Sequence, residues 1–335
     1  MAKLRVGILG AAKIATTKVI PPMRECHYAE PVALASRTLA KAEAAARELD
    51  LPRAYGSYEE LLADPEIDLI YNPLPNHEHV PWTIKAAEAG KHVLCEKPLG
   101  LDEADARRLQ EVRDRTGKVI QEAFMVRTHP QWHKARAIVE RGEIGKLLAI
   151  TGHFSYHNTD PANVRNVREW GGGGLLDIGC YPITTSRFVS GREPVRVSAV
   201  IERDPTTGID RRGSVILDFG DFTSAFTYGT QMAPRQTMSF VGETGRVEVE
   251  IPFNAPNDRP CRLYLDHGEL RQDAREVIEI PTCDQYGIMM DALAKAILDG
   301  HEQPVPLEDS FRNMRVIDAV FRAAETASWV DIVPG

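Results

Sequence analysis

Short apolar runs and segments of helical period alternate through roughly the first 120 residues, in strand-like lengths followed by ten to seventeen residues of mixed polarity. The strand-like runs are "LRVGIL" (4–9), "PVALAS" (31–36), "IDLIYN" (67–72), "HVLCE" (92–96) and "VIQEA" (119–123). Between them, "TLAKAEAAARELD" (38–50), "HVPWTIKAAEAG" (79–90) and "LDEADARRLQEVRDRTG" (101–117) read as helices. Pro81 suits a first helical turn and Gly90 a stop, and the third segment carries its acids early and its arginines late, as a helix dipole favours. Strands separated by helices predict a parallel sheet covered on both faces.

The second half has another rhythm. "LLAITGHFSYH" (147–157), "VRVSAVIE" (195–202), "GSVILDF" (213–219), "FTSAFTYGT" (222–230), "TMSFVGETGRVEVEI" (237–251) and "CRLYLDHGEL" (261–270) follow one another without helices between them. This predicts a large, mostly antiparallel sheet, with a hairpin at Gly242–Gly245. Helices are expected at 284–300 and 307–328. The expected fold class is therefore α/β plus α+β: a doubly wound Rossmann domain over 1–123, and a second domain over 124–335 built on an open-faced sheet.

Composition sharpens this picture. At 335 residues the chain suits two domains of ~150 residues each, and 43% apolar with 26% charged residues is the make-up of a soluble globular protein. No run approaches the ~20 apolar residues of a membrane span, and "MAKLRVGILG" lacks the flanks of a secretion signal, so a cytoplasmic protein is expected. The net charge of -8 is scattered rather than blocked, which argues against nucleic acid as a partner. Five cysteines without a C-x-x-C pair predict packed, reduced thiols. His77 and His79 resemble a metal pair, but no third ligand accompanies them, and no metal is expected.

Candidate chemistry begins where the first strand ends. Gly10, Ala11, Ala12, Lys13 and Ile14 occupy the place of a dinucleotide-binding turn, with Ala12 at its second glycine. Taken alone, the segment serves equally as an ordinary strand-to-helix turn. The second strand, however, ends in Ser36-Arg37 rather than an acid. An acid would bond the ribose hydroxyls of NAD, whereas a hydroxyl and a guanidinium attract the additional phosphate of NADP. NADP is the cofactor expected.

Further along stand "NPLPNHEH" (72–79), "GKHVLCEKPL" (90–99), "EAFMVRTHPQW" (122–132), "GGGGLLDIGCYPI" (171–183) and "FVGETGRVEVEIPF" (240–253). In this order, and with "GILGAAKIA" at the start, they resemble the glucose-fructose oxidoreductase, inositol dehydrogenase and rhizopine-catabolism (Gfo/Idh/MocA) family over nearly the whole chain. The variants are most similar to its D-xylose dehydrogenase and dimeric dihydrodiol dehydrogenase branch. The resemblance implies hydride transfer between a nicotinamide and a carbohydrate or polyol, with Lys97, Asp177 and Tyr181 as catalytic residues. It further implies cofactor contacts from Pro73, Leu74, Asn76, His79, Glu96 and Lys97.

Physical chemistry is compatible with those roles. A partly desolvated Lys97 at a strand's carboxyl end would have a lowered pKa and would lower that of a neighbouring phenol. Asp177 and Tyr181, four apart on a helix, would share one face. Gly171–Gly174 would let the backbone pass beneath a ligand, or would serve as a hinge. Arg127, Arg165 and Trp170 are candidate substrate contacts; Arg127 and His129 could instead cap a domain crossover. The leading expectation is an NADP-dependent aldose dehydrogenase or keto-sugar reductase. Alternatives are a nicotinamide-dependent glycosidase of the same family and a non-catalytic NADP-binding regulator. A homodimer or homotetramer formed through the second domain's sheet is expected.

Overall fold

The computed structural model describes residues 2–268 and 274–333. The chain divides into two compact units, Met1–Thr128 with Asp284–Phe311, and His129–Cys283 with Arg312–Gly335.

The first unit contains β1 (Leu4–Leu9), α1 (Ile20–Met23), β2 (Ala29–Ala35), α2 (Leu39–Glu48), β3 (Arg53–Tyr55), α3 (Tyr58–Ala63), β4 (Leu69–Asn72), α4 (His79–Glu88), β5 (His92–Cys95), α5 (Glu103–Thr116) and β6 (Ile120–Glu122). Its six strands are parallel, in the order β3-β2-β1-β4-β5-β6. This is the doubly wound arrangement expected. The inner strands β1, β2, β4 and β5 are buried on both faces: Val6, Ile8, Leu34, Ile70 and Leu94 have no accessible surface. Helix ends follow local chemistry. Asp102 accepts the Asp105 N–H at the start of α5, and Gly117 ends it in the left-handed region at φ 64. The elements not foreseen are β3 and α3, because three half-buried residues make no visible run.

In the second unit, α6 (Pro130–Glu140) precedes β7 (Leu147–His157), α7 (Cys180–Ser190), β8 (Arg196–Arg203), β9 (Asp210–Asp218), β10 (Thr223–Gly229), β11 (Gln231–Gly242), β12 (Arg246–Val249), β13 (Cys261–Asp266) and β14 (Glu276–Ile280). The chain then adds α8 (Gln285–Asp299) to the first unit, runs through α9 (Leu307–Thr326), which begins in the first unit and ends in the second, and finishes the second with β15 (Val330–Asp331). Of the "CRLYLDHGEL" run, Glu269 and Leu270 lie outside the described residues. The nine-stranded sheet runs β14-β13-β12-β11-β7-β10-β9-β8-β15. It is antiparallel except where β7, at its centre, pairs in parallel with β10. The hairpin falls where expected, with Gly242 N–H donating to Gly245 O across the turn to β12.

Helices α6 and α7 occupy one side of this sheet. Trp132 of α6 stacks on Phe253 and meets Phe240 edge-on, and Pro182 of α7 lies against Gly152 of β7. The opposite side stays open: Val200 is 76% and Ile216 43% exposed, while Val215 and Leu217 are buried. Among the described residues, no helix is long and apolar enough to cross a membrane.

Candidate functional site

The cofactor candidates named from sequence all lie in the first unit, just beyond the carboxyl ends of β1, β2, β4 and β5. In a sheet of this order the chain leaves β1 and β4 toward opposite sides, and the crevice beyond those ends is where doubly wound sheets take ligands. Gly10 turns the chain at φ 84, and a Cβ there would stand 3.2 Å from Leu74 Cδ2. The loops after β1 and β4 therefore close on each other, and a side chain at position 10 would be strained as well as crowded. The following helix starts as a π-turn over Ala15–Val19 before continuing as α1.

Beyond β2, Ser36 is buried and Arg37 exposed. Arg37 lies within charge reach of the Tyr58 phenol, whose pKa burial raises and that cation lowers. Tyr58 packs edge-on against Trp82, and Lys85 Nζ sits 3.8 Å above the Trp82 ring. The rim at β2 is thus cationic and aromatic, with no acid in the position that would select NAD.

The loops after β4 and β5 are tied together by buried polar groups. The Asn72 amide donates to His79 O at 3.1 Å and accepts from Leu74 N at 3.3 Å. The His79 ring, 1% exposed, spans two carbonyls, with Nδ1 2.7 Å from Pro98 O and Nε2 2.7 Å from Leu74 O. Burial outweighs the attraction of both carbonyls and pushes its pKa down to about 4. His79 is therefore a strap between the two loops. His77 meets Glu78 at 3.4 Å. Among the described residues, no three His, Cys, Asp or Glu side chains are grouped to hold a metal ion.

Lys97 follows β5, half-buried, and joins Pro98 through a cis peptide. Its neighbour Glu96 accepts from the Tyr71 hydroxyl at 2.7 Å and from Lys97 N at 3.3 Å. Leu99 N donates to Glu122 Oε1 at 2.8 Å. Arg127, 11% exposed, is ion-paired with Asp309.

The second unit assembles a separate cluster. Asp177 lies in a π-turn (Leu175–Gly179) that runs into α7, with Tyr181 in the first turn of that helix. A π-turn is wound for i→i+5 bonds, seen here from Cys180 N to Leu175 O, so a spacing of four no longer aligns side chains as in an α-helix. What links the two residues is Arg165. Its Nε is 3.0 Å from each Asp177 carboxylate oxygen, and its charge is coupled first to Asp177, then to Tyr156 and Tyr181. Tyr156 donates to Asp177 Oδ2 at 2.6 Å. Burial and the adjacent Asp177 charge raise the Tyr156 pKa, so that phenol stays a donor. Tyr181 is 5% exposed, and its ring packs on Phe154 and Phe253. The arrangement is a fixed carboxylate that orients a cation within electrostatic reach of a phenol. Trp170 is 41% exposed in the adjacent 3-10 turn.

The glycine run owes its composition to protein neighbours. A Cβ at position 172 would stand 2.6 Å from Arg165 O, and one at 174 would stand 2.8 Å from the Tyr228 ring. Gly173, at φ 131, would drive a Cβ into Asp210 Oδ1. Asp210 braces the turn: its Oδ2 accepts from Leu175 N at 2.6 Å and from the Tyr228 hydroxyl at 2.9 Å. Burial pushes its pKa up to about 6 despite these donors. Tyr156, Asp210 and Tyr228 were not among the sequence candidates. Each lies in a strand, and only sheet register brings it to the turn.

Comparison with known proteins follows the same division of the chain. Residues 4–124 match the GFO_IDH_MocA model, described as an oxidoreductase family with an NAD-binding Rossmann fold, and residues 132–248 match the GFO/IDH/MocA C-terminal domain. An uncharacterized oxidoreductase of Rhizobium meliloti is 47% identical, over 97% of this chain and 98% of its own. A D-xylose 1-dehydrogenase (NADP(+)) of Haloferax volcanii is 36% identical, over 97% and 99%. Among solved structures, a 3-ketoreductase from Actinomadura kijaniata in complex with NADP and TDP-benzene superposes with a TM-score of 0.89 at 31% identity, covering 96% of this chain and 98% of that one.

Proposed function

Because this chain belongs to the Gfo/Idh/MocA family of oxidoreductases, we propose that it transfers a hydride between NADP and a sugar or related polyol, as an aldose 1-dehydrogenase or a keto-sugar reductase. The observation that carries this reading is full-length likeness to a protein named as an NADP-dependent D-xylose dehydrogenase, joined to a first unit whose β2 ends in Ser36-Arg37. The fit to a dinucleotide is supported by Gly10 in the left-handed region and by the exposed start of the helix after it.

The turn Gly10–Ile14 would hold the pyrophosphate, Ser36 and Arg37 the additional phosphate, and Pro73, Leu74, Asn76 and Glu96 the rest of the cofactor's edge. NADP, when bound, supplies the hydride acceptor or donor. The chain's own part is proton transfer. In oxidation, Tyr181 accepts the proton of the reacting hydroxyl oxygen and Lys97 steadies the negative charge that forms; in reduction the same pair returns it. Asp177 holds Arg165 beside the phenol, where the cation favours the phenolate.

The test is NADP reduction at 340 nm across aldoses, inositols and trans-dihydrodiols, with the reverse reaction on keto-sugars. Lys97→Met and Tyr181→Phe should each lower kcat by about 100-fold or more while leaving the NADP Kd within about threefold. Full turnover in either variant would overturn the assigned roles. The open side of the nine-stranded sheet, with Val200 and Ile216 exposed, supports assembly as a homodimer or homotetramer; a monomer in sedimentation at micromolar concentration would exclude it.

A further inference from the structure

The strand next to Lys97 carries a buried carboxylate that the reading above does not use. Register pairs Cys95, the last residue of β5, with Glu122, the last of β6, so Glu122 stands beside the strand end from which Lys97 emerges. Glu122 is 1% exposed. Its Oε1 accepts the Leu99 N–H at 2.8 Å, while His79 Nδ1 lies 2.7 Å from Pro98 O. The residues after Lys97 are thus held from two sides by two buried side chains. Glu122 Oε2 has no hydrogen-bond partner, and neither does the buried Ser310 Oγ. The two groups lie close enough for the hydroxyl to favour the ionised carboxylate, but not in bonding geometry.

We propose that Glu122 is a positioning residue for Lys97: its carboxylate anchors the turn that carries the lysine. This rests on the role given to Lys97 above. The groups that face Glu122 are Lys97 from the β5 turn, Cys95 on β5, and Asp309 and Ser310 on α9. Asp309 is itself paired with Arg127. The Lys97 charge favours the ionised form of this carboxylate, which sets a counter-charge behind the turn. Burial pushes the Glu122 pKa up to about 7, which places the change of that counter-charge within the working range of an enzyme.

The variants separate anchoring from charge. Glu122→Gln keeps an oxygen for Leu99 N but removes the charge; Glu122→Leu removes both. Lysines are reductively methylated with 13C-formaldehyde, and the Lys97 signal is identified by its loss in Lys97→Arg. That signal should move more in Glu122→Leu than in Glu122→Gln, because only the first variant loses the acceptor for Leu99 N. In turnover, Glu122→Leu should lower kcat about tenfold or more, with the NADP Kd within about threefold, and Glu122→Gln should restore much of that loss. A Lys97 signal unmoved in a folded Glu122→Leu overturns the proposal; if that variant fails to fold, a Glu122→Gln enzyme with kcat lowered as far as in Lys97→Met overturns it instead. The NMR signal needs no substrate, so absence of turnover on every sugar would count against the proposed function alone.

Discussion

Asp210 offers a test of how the glycine-led turn is held. Its carboxylate is 2% exposed, and burial pushes its pKa from 3.8 up to about 6. The shift of about two units corresponds to about 3 kcal/mol between the two protonation states. Because the folded pKa is the higher one, the native protein holds the proton more tightly. The stabilisation is fully present below the unfolded pKa, and it is lost as pH rises to and through about 6. Between pH 4 and 7 the loss from this one group is about 2 kcal/mol, since part of it has already occurred by pH 4. Asp210→Asn keeps an oxygen able to accept from Leu175 N and the Tyr228 hydroxyl, and it cannot ionise. The stability of the variant relative to the parent should therefore rise by about 2 kcal/mol from pH 4 to pH 7. Urea unfolding at several pH values, compared at a common m, measures it. Taking the difference between the two proteins cancels every other titrating group. A difference that does not change with pH would refute the reasoning, whatever its absolute size.

Other expectations follow from the same structure. Gly173→Ala combines a positive φ with overlap on Asp210 Oδ1 and should cost more than about 3 kcal/mol; wild-type melting would show that the turn is not packed as described. The ring of His79 should titrate near 4 rather than 6.5, read from its Cε1 proton in NMR. Its contribution to stability is then present above pH 6.5 and lost as pH falls through about 4. Arg37→Ala should weaken NADP binding by about tenfold or more and leave NAD nearly unaffected; equal losses for both cofactors in a fluorescence titration would remove Arg37 from phosphate recognition.

How much of this could be read before folding differs between the units. In the first, the inner strands are buried on both faces and α5 carries a cap at each end, so runs such as Leu69–Asn72 and stops such as Gly117 mark the elements directly. Lys97 and Ser36-Arg37 were legible because a residue just past a parallel strand needs only local order to be placed at the sheet's carboxyl edge. In the second unit, α6 was overlooked, although Pro130 at its first turn was a usable signal. The parallel pairing of β7 with β10 leaves no local mark.

Chain order alone carried the doubly wound sheet, the mostly antiparallel second sheet and the family. These depend on periodicity, caps and motifs carried by neighbouring residues in the chain. Only the tertiary structure decided what the glycine run is for, why Arg165 couples to both Asp177 and Tyr181, and where Tyr156, Asp210 and Glu122 stand. Each of those facts depends on strand register or burial between residues far apart in sequence, where a carboxylate's neighbours and charge are set by packing rather than by spacing.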